Sequence, residues 1–146
     1  MKIFKPLNTL KKIIEQRVTD EGNWKTEVKL GEGGIRDIEF MVQFLQLLNG
    51  GNFPDIRTQN TLIALSRLYN VQSLSFEEVN FLENAYIFLR EIEHKLQIMN
   101  YQQVHNLPED DESIEKIAIR MSYVKQQGRT PGTIFRDEYR KTTAKV

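Results

Sequence analysis

The sequence contains no cysteine among its 146 residues. Disulfides and thiolate zinc sites are therefore excluded, and the composition fits a reducing cytoplasm. Histidine is almost as scarce. His94 and His105 are the only two, no HExxH or similar ligand spacing occurs, and no metal site is expected. Neither sign of charge is in excess, since Lys plus Arg and Asp plus Glu each number 20. A nucleic-acid or membrane surface usually shows a basic surplus, so neither partner is expected. No apolar run approaches the ~20 residues needed to span a bilayer. The charged start Met1–Pro6 is followed by no apolar stretch of the secretory kind. Low-complexity tracts and internal repeats are absent too.

What is present is an ordinary soluble composition, 40% hydrophobic and 27% charged. The length suits a single helical domain over residues 1–146, and a chain of this size can bury roughly 70% of its unfolded surface. The pattern predicts an all-α fold, a bundle of about five or six helices with one short extended segment near residues 24–30. Asn8 or Thr9 caps a first helix to about Val18, with Leu10, Ile13, Ile14 and Val18 at helical spacing. Trp24 to Leu30 alternates apolar and polar residues, as a short strand does. Ile35 to about Asn49 is a strongly apolar helix, ended by Gly50-Gly51. Thr58 is placed to cap a helix to about Tyr69. Ser75 with Glu78 forms a capping box that opens the longest helix, about Phe76 to Tyr101. Val104 to Pro108 is a connector, because Pro108 bars helix there. A further helix covers about Asp111 to Tyr123, and a last one begins near Thr130-Pro131.

The densest chemistry lies between Val28 and Gly51. Three glycines in the four residues Gly31 to Gly34 allow positive φ and bring N–H groups close to a partner. The helix behind them presents four free N–H groups and partial positive charge. Gly33 and Gly34 with Arg36 are therefore candidates for binding a phosphate or carboxylate. No Gly-Lys-Ser/Thr follows, so this is not a P-loop, and no parallel-sheet unit surrounds it as a dinucleotide fingerprint requires. Along the same helix Arg36, Glu39, Gln43 and Gln46 recur at i, i+3, i+7 and i+10. They form one polar stripe on a helix that is otherwise apolar nearly all round and so expected to be central and buried. Such a stripe either pairs internally, Arg36 with Glu39 for example, or meets a ligand or partner.

The long helix has an apolar face of Phe81, Leu82, Ala85, Phe88, Leu89, Ile92, Leu96 and Met99, which is expected to be core. Arg90, Glu93, His94 and Gln97 mark another face. It is either a solvated or interhelical polar surface or a place for acid–base chemistry. The four acids Glu109 to Glu112 precede a helix, where they complement its dipole. A Mg²⁺ site there is the weaker alternative.

The run Lys29-Leu30-Gly31-Glu32-Gly33-Gly34-Ile35-Arg36-Asp37-Ile38-Glu39-Phe40 resembles the signature KxGxGGIR-[DE]-[IV]-EF of the glutamine synthetase adenylyltransferases. Val42-Gln43, Leu45-Gln46-Leu47 and Gly50-Gly51 continue the pattern. Arg57-Thr58, Asn60 to Leu62, Ala85 to Arg90, Glu93 to Gln97 and Gln102 to Pro108 follow in order. Phe135, Tyr139 and Val146 resemble the module's last helix. The resemblance covers about residues 8–146, and it is the order and spacing of these motifs that makes it specific.

The resemblance implies a bifunctional parent enzyme. One half attaches AMP from ATP to a tyrosine of glutamine synthetase, and the other removes it by phosphorolysis, giving ADP. Each half pairs a nucleotidyltransferase domain with a helical domain of this type. A related uridylyltransferase acting on the PII protein carries a similar module. The connector before Leu107-Pro108 looks more like that of the deadenylylating half. Mg²⁺ and ATP or ADP are implied for the parent, together with a cytoplasmic setting. The family's catalytic core needs a Gly-Ser followed by an Asp-x-Asp pair, and neither occurs here. No catalytic residue is expected in this chain, which resembles a domain cut from a longer parent. Two roles are then expected. In the first, Gly33, Gly34 and Arg36, with Glu39, Gln43 and Gln46, help to shape a nucleotide or protein-substrate site beside the nucleotidyltransferase domain. In the second, Arg90, Glu93, His94 and Gln97 dock glutamine synthetase or PII, or couple the enzyme's two halves.

Overall fold

The computed structural model describes residues 27–100 and 106–146, the side chain of Asn100 excepted. The expected first helix at residues 8–18, the segment 24–26, and His105 with the start of its connector lie outside the described residues. Among the described residues there are five α-helices: α1 (Ile35–Asn49), α2 (Thr61–Asn70), α3 (Phe76–Asn100), α4 (Asp111–Arg120) and α5 (Pro131–Lys145). A single 3₁₀ turn, Pro54–Ile56, lies between α1 and α2. The fold is all-α, as the periodicity predicts.

Local chemistry sets the helix ends. The Ser75 N–H donates to Glu78 Oε2 at 2.7 Å and the Glu78 N–H returns to Ser75 Oγ at 3.2 Å. This is the reciprocal capping box expected for α3. Asp110 caps α4 by accepting from the Ser113 N–H. Thr130 caps α5 ahead of Pro131, where a missing N–H costs nothing. Helix α2 departs from expectation. Its cap is Asn60, which accepts from the Ile63 N–H, while the Thr58 hydroxyl accepts from the Asn60 N–H. Thr58 is also the residue whose carbonyl is claimed by Gln46, which holds it in the loop. Helix α4 stops at Arg120, short of Tyr123, because Ser122 takes φ +66°. The Ser122 and Tyr123 N–H groups then close onto the Ile119 and Ala118 carbonyls, a Schellman stop.

The long helix α3 is the centre of the assembly. Helices α1 and α2 pack on it and on each other, and α4, paired with α5, packs on it from another side. Val79, Leu82, Ala85, Leu89, Ile92 and Leu96 are all buried along α3. Each Val, Leu or Ile among them contributes about 1.5–3 kcal/mol by leaving water. They meet Ile35, Ile38 and Val42 of α1, Ala64, Leu65 and Leu68 of α2, and Ile114, Ile117 and Ala118 of α4 in one cluster. Phe135 of α5 is fully buried, its ring tilted against Phe88 and edge-on to Tyr123.

Helix α1 is not the central rod that its composition suggests. Only Ile35, Ile38 and Val42 are buried in it, and Leu47 is 82% exposed. Its apolar residues outnumber the space on α3 available to receive them. Of the expected extended segment, only residues 27–30 are described. Glu27 forms an isolated antiparallel bridge with Asn106, and Val28 to Leu30 turn back on the start of α1.

Candidate functional site

The glycine turn is closed by its own carbonyls. The Gly31 N–H donates to Glu27 O, Gly34 to Gly31 O, Ile35 to Val28 O at 3.1 Å and Arg36 to Lys29 O at 2.9 Å. The Gly33 N–H donates to Asp37 Oδ2 at 2.8 Å. The amides that make a helix start an anion site are thus engaged within the turn, and a visiting anion here meets side chains. Both glycines are required for shape. Gly33 sits at φ +67°, and a Cβ on it would lie 1.9 Å from the Thr143 carbonyl oxygen of α5. A Cβ on Gly34 would lie 2.7 Å from Val28 O. The turn is therefore pressed backbone to backbone against the last helix.

In front of the turn the polar residues of α1 and α3 form one network. Arg90 Nη2 donates to Glu39 Oε1 at 2.7 Å, joining α3 to α1, and Arg90 Nη1 donates to Glu93 Oε2 at 2.8 Å. The Tyr86 hydroxyl accepts from Arg90 Nε and Nη2 and donates to Glu39 Oε1 at 3.3 Å. The Arg90 guanidinium also lies over the Tyr86 ring. Partial burial opposes the Arg90 charge, but hydrogen bonds to Tyr86 and Glu93 outweigh it and hold the pKa above the usual arginine value. Glu93 is buried and Glu39 nearly so, with 15% of its side chain exposed. Arg90 gives both carboxylates a charge-assisted hydrogen-bond partner in this part-buried place.

Two further cations reach the same carboxylates more loosely. Arg36 Nη1 is 3.5 Å from Glu39 Oε2, with 45% of its side chain exposed, and its guanidinium lies over Phe40. Lys29 Nζ is 4.0 Å from Glu93 Oε1, with 35% exposed.

The expected stripe on α1 thus divides. Arg36 and Glu39 join the network and Gln43 faces solvent. Gln46 turns to the next loop, its Nε2 donating to Ile56 O at 2.6 Å and Thr58 O at 2.8 Å. On α3, Arg90 and Glu93 are brought to α1, so this part of the face is interhelical. His94 is exposed and Gln97 half-buried on the same helix. Tyr86 and Lys29 are members of the network that charge patterning alone passed over. Tyr86 lies four residues before Arg90, which places it on the same face, and Lys29 opens the signature run. Among the described residues no group of three or more His, Asp or Glu side chains could hold a metal ion.

Known proteins place the chain. Residues 8–146 match the family model described as GlnD PII-uridylyltransferase. The chain belongs to that family. It is 44% identical over 96 residues to a protein of Brucella melitensis named bifunctional glutamine synthetase adenylyltransferase/adenylyl-removing enzyme, a match covering 66% of this chain and 10% of that protein. A protein of the same name from Acinetobacter baylyi is 37% identical over 120 residues, covering 82% of this chain and 13% of the relative. Another from Stenotrophomonas maltophilia is 41% identical over 97 residues, 66% of this chain and 10% of the relative. The chain spans about a tenth of the length of these relatives. The helical module thus sits within much longer enzymes. No helix among the described residues is long and apolar enough to cross a membrane.

Proposed function

We propose that this chain is the helical accessory domain of a bifunctional glutamine synthetase adenylyltransferase/adenylyl-removing enzyme. It sits beside a nucleotidyltransferase domain and helps to shape that domain's nucleotide or protein-substrate site. The observation that carries the reading is the network in front of the glycine turn. The family's densest signature folds into a surface where Arg90 braces two helices and Arg36 is left half-exposed beside them. Mg²⁺ and ATP or ADP would be held by the nucleotidyltransferase domain, because Glu39 and Glu93 here serve as counter-ions of Arg90. Arg36 would act as an electrostatic aid to a phosphate, never as a base. Gly33 and Gly34 set where Arg36 starts rather than donating to the ligand. Glutamine synthetase would be the target, in the cytoplasm.

The test is Arg36→Ala in a full-length enzyme that carries this module. Loss of either activity, or weaker nucleotide binding, with the fold intact supports the role. Unchanged activities and nucleotide affinity sink it.

A docking role is the second reading, favoured by the exposed stretch of α3 around His94 beside half-buried Gln97. Here the module would hold glutamine synthetase or PII. Retention of either purified protein by this chain, weakened by a paired substitution of His94 and Gln97, would support docking.

A further inference from the structure

We infer that Lys29 and Arg36 together form a two-cation site for a phosphate group, and that Arg90 is the brace holding the site open rather than a ligand-binding residue. The inference rests on the accessory-domain reading and names the chemistry of the same surface.

Charge counting comes first. Among the described residues three cations, Lys29, Arg36 and Arg90, lie against two carboxylates, Glu39 and Glu93. Arg90 satisfies both carboxylates at 2.7 and 2.8 Å. Lys29 and Arg36 are left with contacts of 4.0 and 3.5 Å and substantial exposure. A guanidinium and an ammonium held this loosely keep most of their hydrogen-bonding capacity for another acceptor.

The two residues are also joined through the backbone. The Arg36 N–H donates to the Lys29 carbonyl, so their backbones run side by side, and both reach toward the carboxylates that Arg90 clamps. A compact, multiply charged anion suits this pair. Arg offers a planar fork and Lys a mobile point charge on a flexible stem.

The cleft on the α5 side of the turn is the rival location, and charge decides against it. That cavity, of about 930 Å³, is lined by Glu32, Asp37 and Glu109 against only Arg136 and Arg140. Arg136 is already bonded to Asp111 and to the Glu109 carbonyl. An anion is repelled there and attracted at Lys29 and Arg36.

The phosphate could belong to a nucleotide or be inorganic phosphate, the co-substrate that a phosphorolytic reaction consumes. An amide NMR titration of the chain, once with inorganic phosphate and once with ADP at low salt, tests the site and separates the sources. Saturable shifts clustered at Lys29 to Ile38 are expected with at least one ligand. Lys29→Gln and Arg36→Gln should each weaken binding about fivefold, and the double variant should abolish it. Lys116→Gln, which removes an exposed cation paired with Glu112 on α4, should leave affinity unchanged. Much tighter binding of ADP assigns the site to a nucleotide phosphate, and phosphate binding as tight as ADP assigns it to the free ion. Absence of saturable shifts with both ligands, or identical binding by wild type and the double variant with dispersed spectra in each, overturns the inference. If Arg36→Ala still lowers activity in the full-length enzyme under that outcome, the accessory role survives and only the phosphate site is lost.

Discussion

The two ends of α1 look alike in sequence and differ in structure. A glycine pair stands at each, Gly33-Gly34 before the helix and Gly50-Gly51 after it. At the N-terminal end both glycines are enclosed by backbone from the turn and from α5. At the C-terminal end a Cβ on Gly51 would meet nothing within 4 Å, and Leu47 and Leu48 face out. One pair is a steric requirement of a packed joint. In the other, Gly50 is buried against Gln46 O and Arg57 and only Gly51 has open space around it. Helix α1 is therefore held at its start by backbone packing against the turn and α5, and at its end by side-chain bonds to the next loop, from Gln46 to Ile56 O and Thr58 O and from Arg57 to Gly50 O; the polar network is built on the packed start.

The sharpest way to break this comparison is to add one methyl group at each end. Gly33→Ala forces φ +67° on a residue with a Cβ and drives that Cβ into the Thr143 carbonyl. Strain and overpacking together should cost about 3 kcal/mol or more. Gly51→Ala should change stability by less than about 0.5 kcal/mol. Urea denaturation of both proteins gives the answer, and equal losses would show that the glycine turn is not the joint described here.

A pH ramp reads the same joint. Tyr139 of α5 is 7% exposed. Burial first, and the Glu27 charge second, push its hydroxyl up to about 12 from the ordinary 10. The folded state therefore holds the proton more tightly than the unfolded chain. Stability from this group is full below pH 10 and is lost as pH rises toward 12. That decline should be of the order of 2 kcal/mol across the window. Tyr139→Phe should flatten it in denaturation curves taken between pH 9 and 12, and an unchanged slope would remove Tyr139 from the account.

Smaller effects separate the polar residues along the helix. Glu39→Ala removes the link between α1 and Arg90, leaving Arg90 with Glu93 and taking the acceptor from the Tyr86 hydroxyl, and should cost about 1–2 kcal/mol. Gln43→Ala, on the solvent side, should be neutral within about 0.5 kcal/mol. Gln46→Ala removes two hydrogen bonds to loop carbonyls and should cost about 1 kcal/mol, chiefly by loosening the Pro54–Ile56 turn. Thermal melts rank the three. A ranking with Gln43 first would mean that the stripe faces a core rather than splitting as described.

Much of this was legible from residues because it is local. Ser75 and Glu78 sit within one turn of each other, so their capping box is written in four consecutive positions. The stop of α4 was placed within three residues, and the miss came from Ser122, whose left-handed backbone no side-chain preference announces. The expected apolar face of α3 holds its buried residues Leu82, Ala85, Leu89, Ile92 and Leu96, while Phe81, Phe88 and Met99 of that face are only partly buried at its edges. For α1 the same reasoning misled, since composition counts apolar residues but not the surface available to cover them. Leu47 is apolar and still mostly exposed.

The sequence by itself determined the all-α class, the capping box of α3, the glycine turn and the family, because each depends on neighbours along the chain or on a run of matched residues. Only the tertiary structure decided which arginine is braced and which is loose, since Arg36 and Arg90 are equivalent until Glu39 of one helix meets Arg90 of another. It alone decided that Gly33 must be glycine for space as well as for φ. The atom that forbids a side chain there, the Thr143 carbonyl oxygen, belongs to the last helix and reaches the turn only through packing.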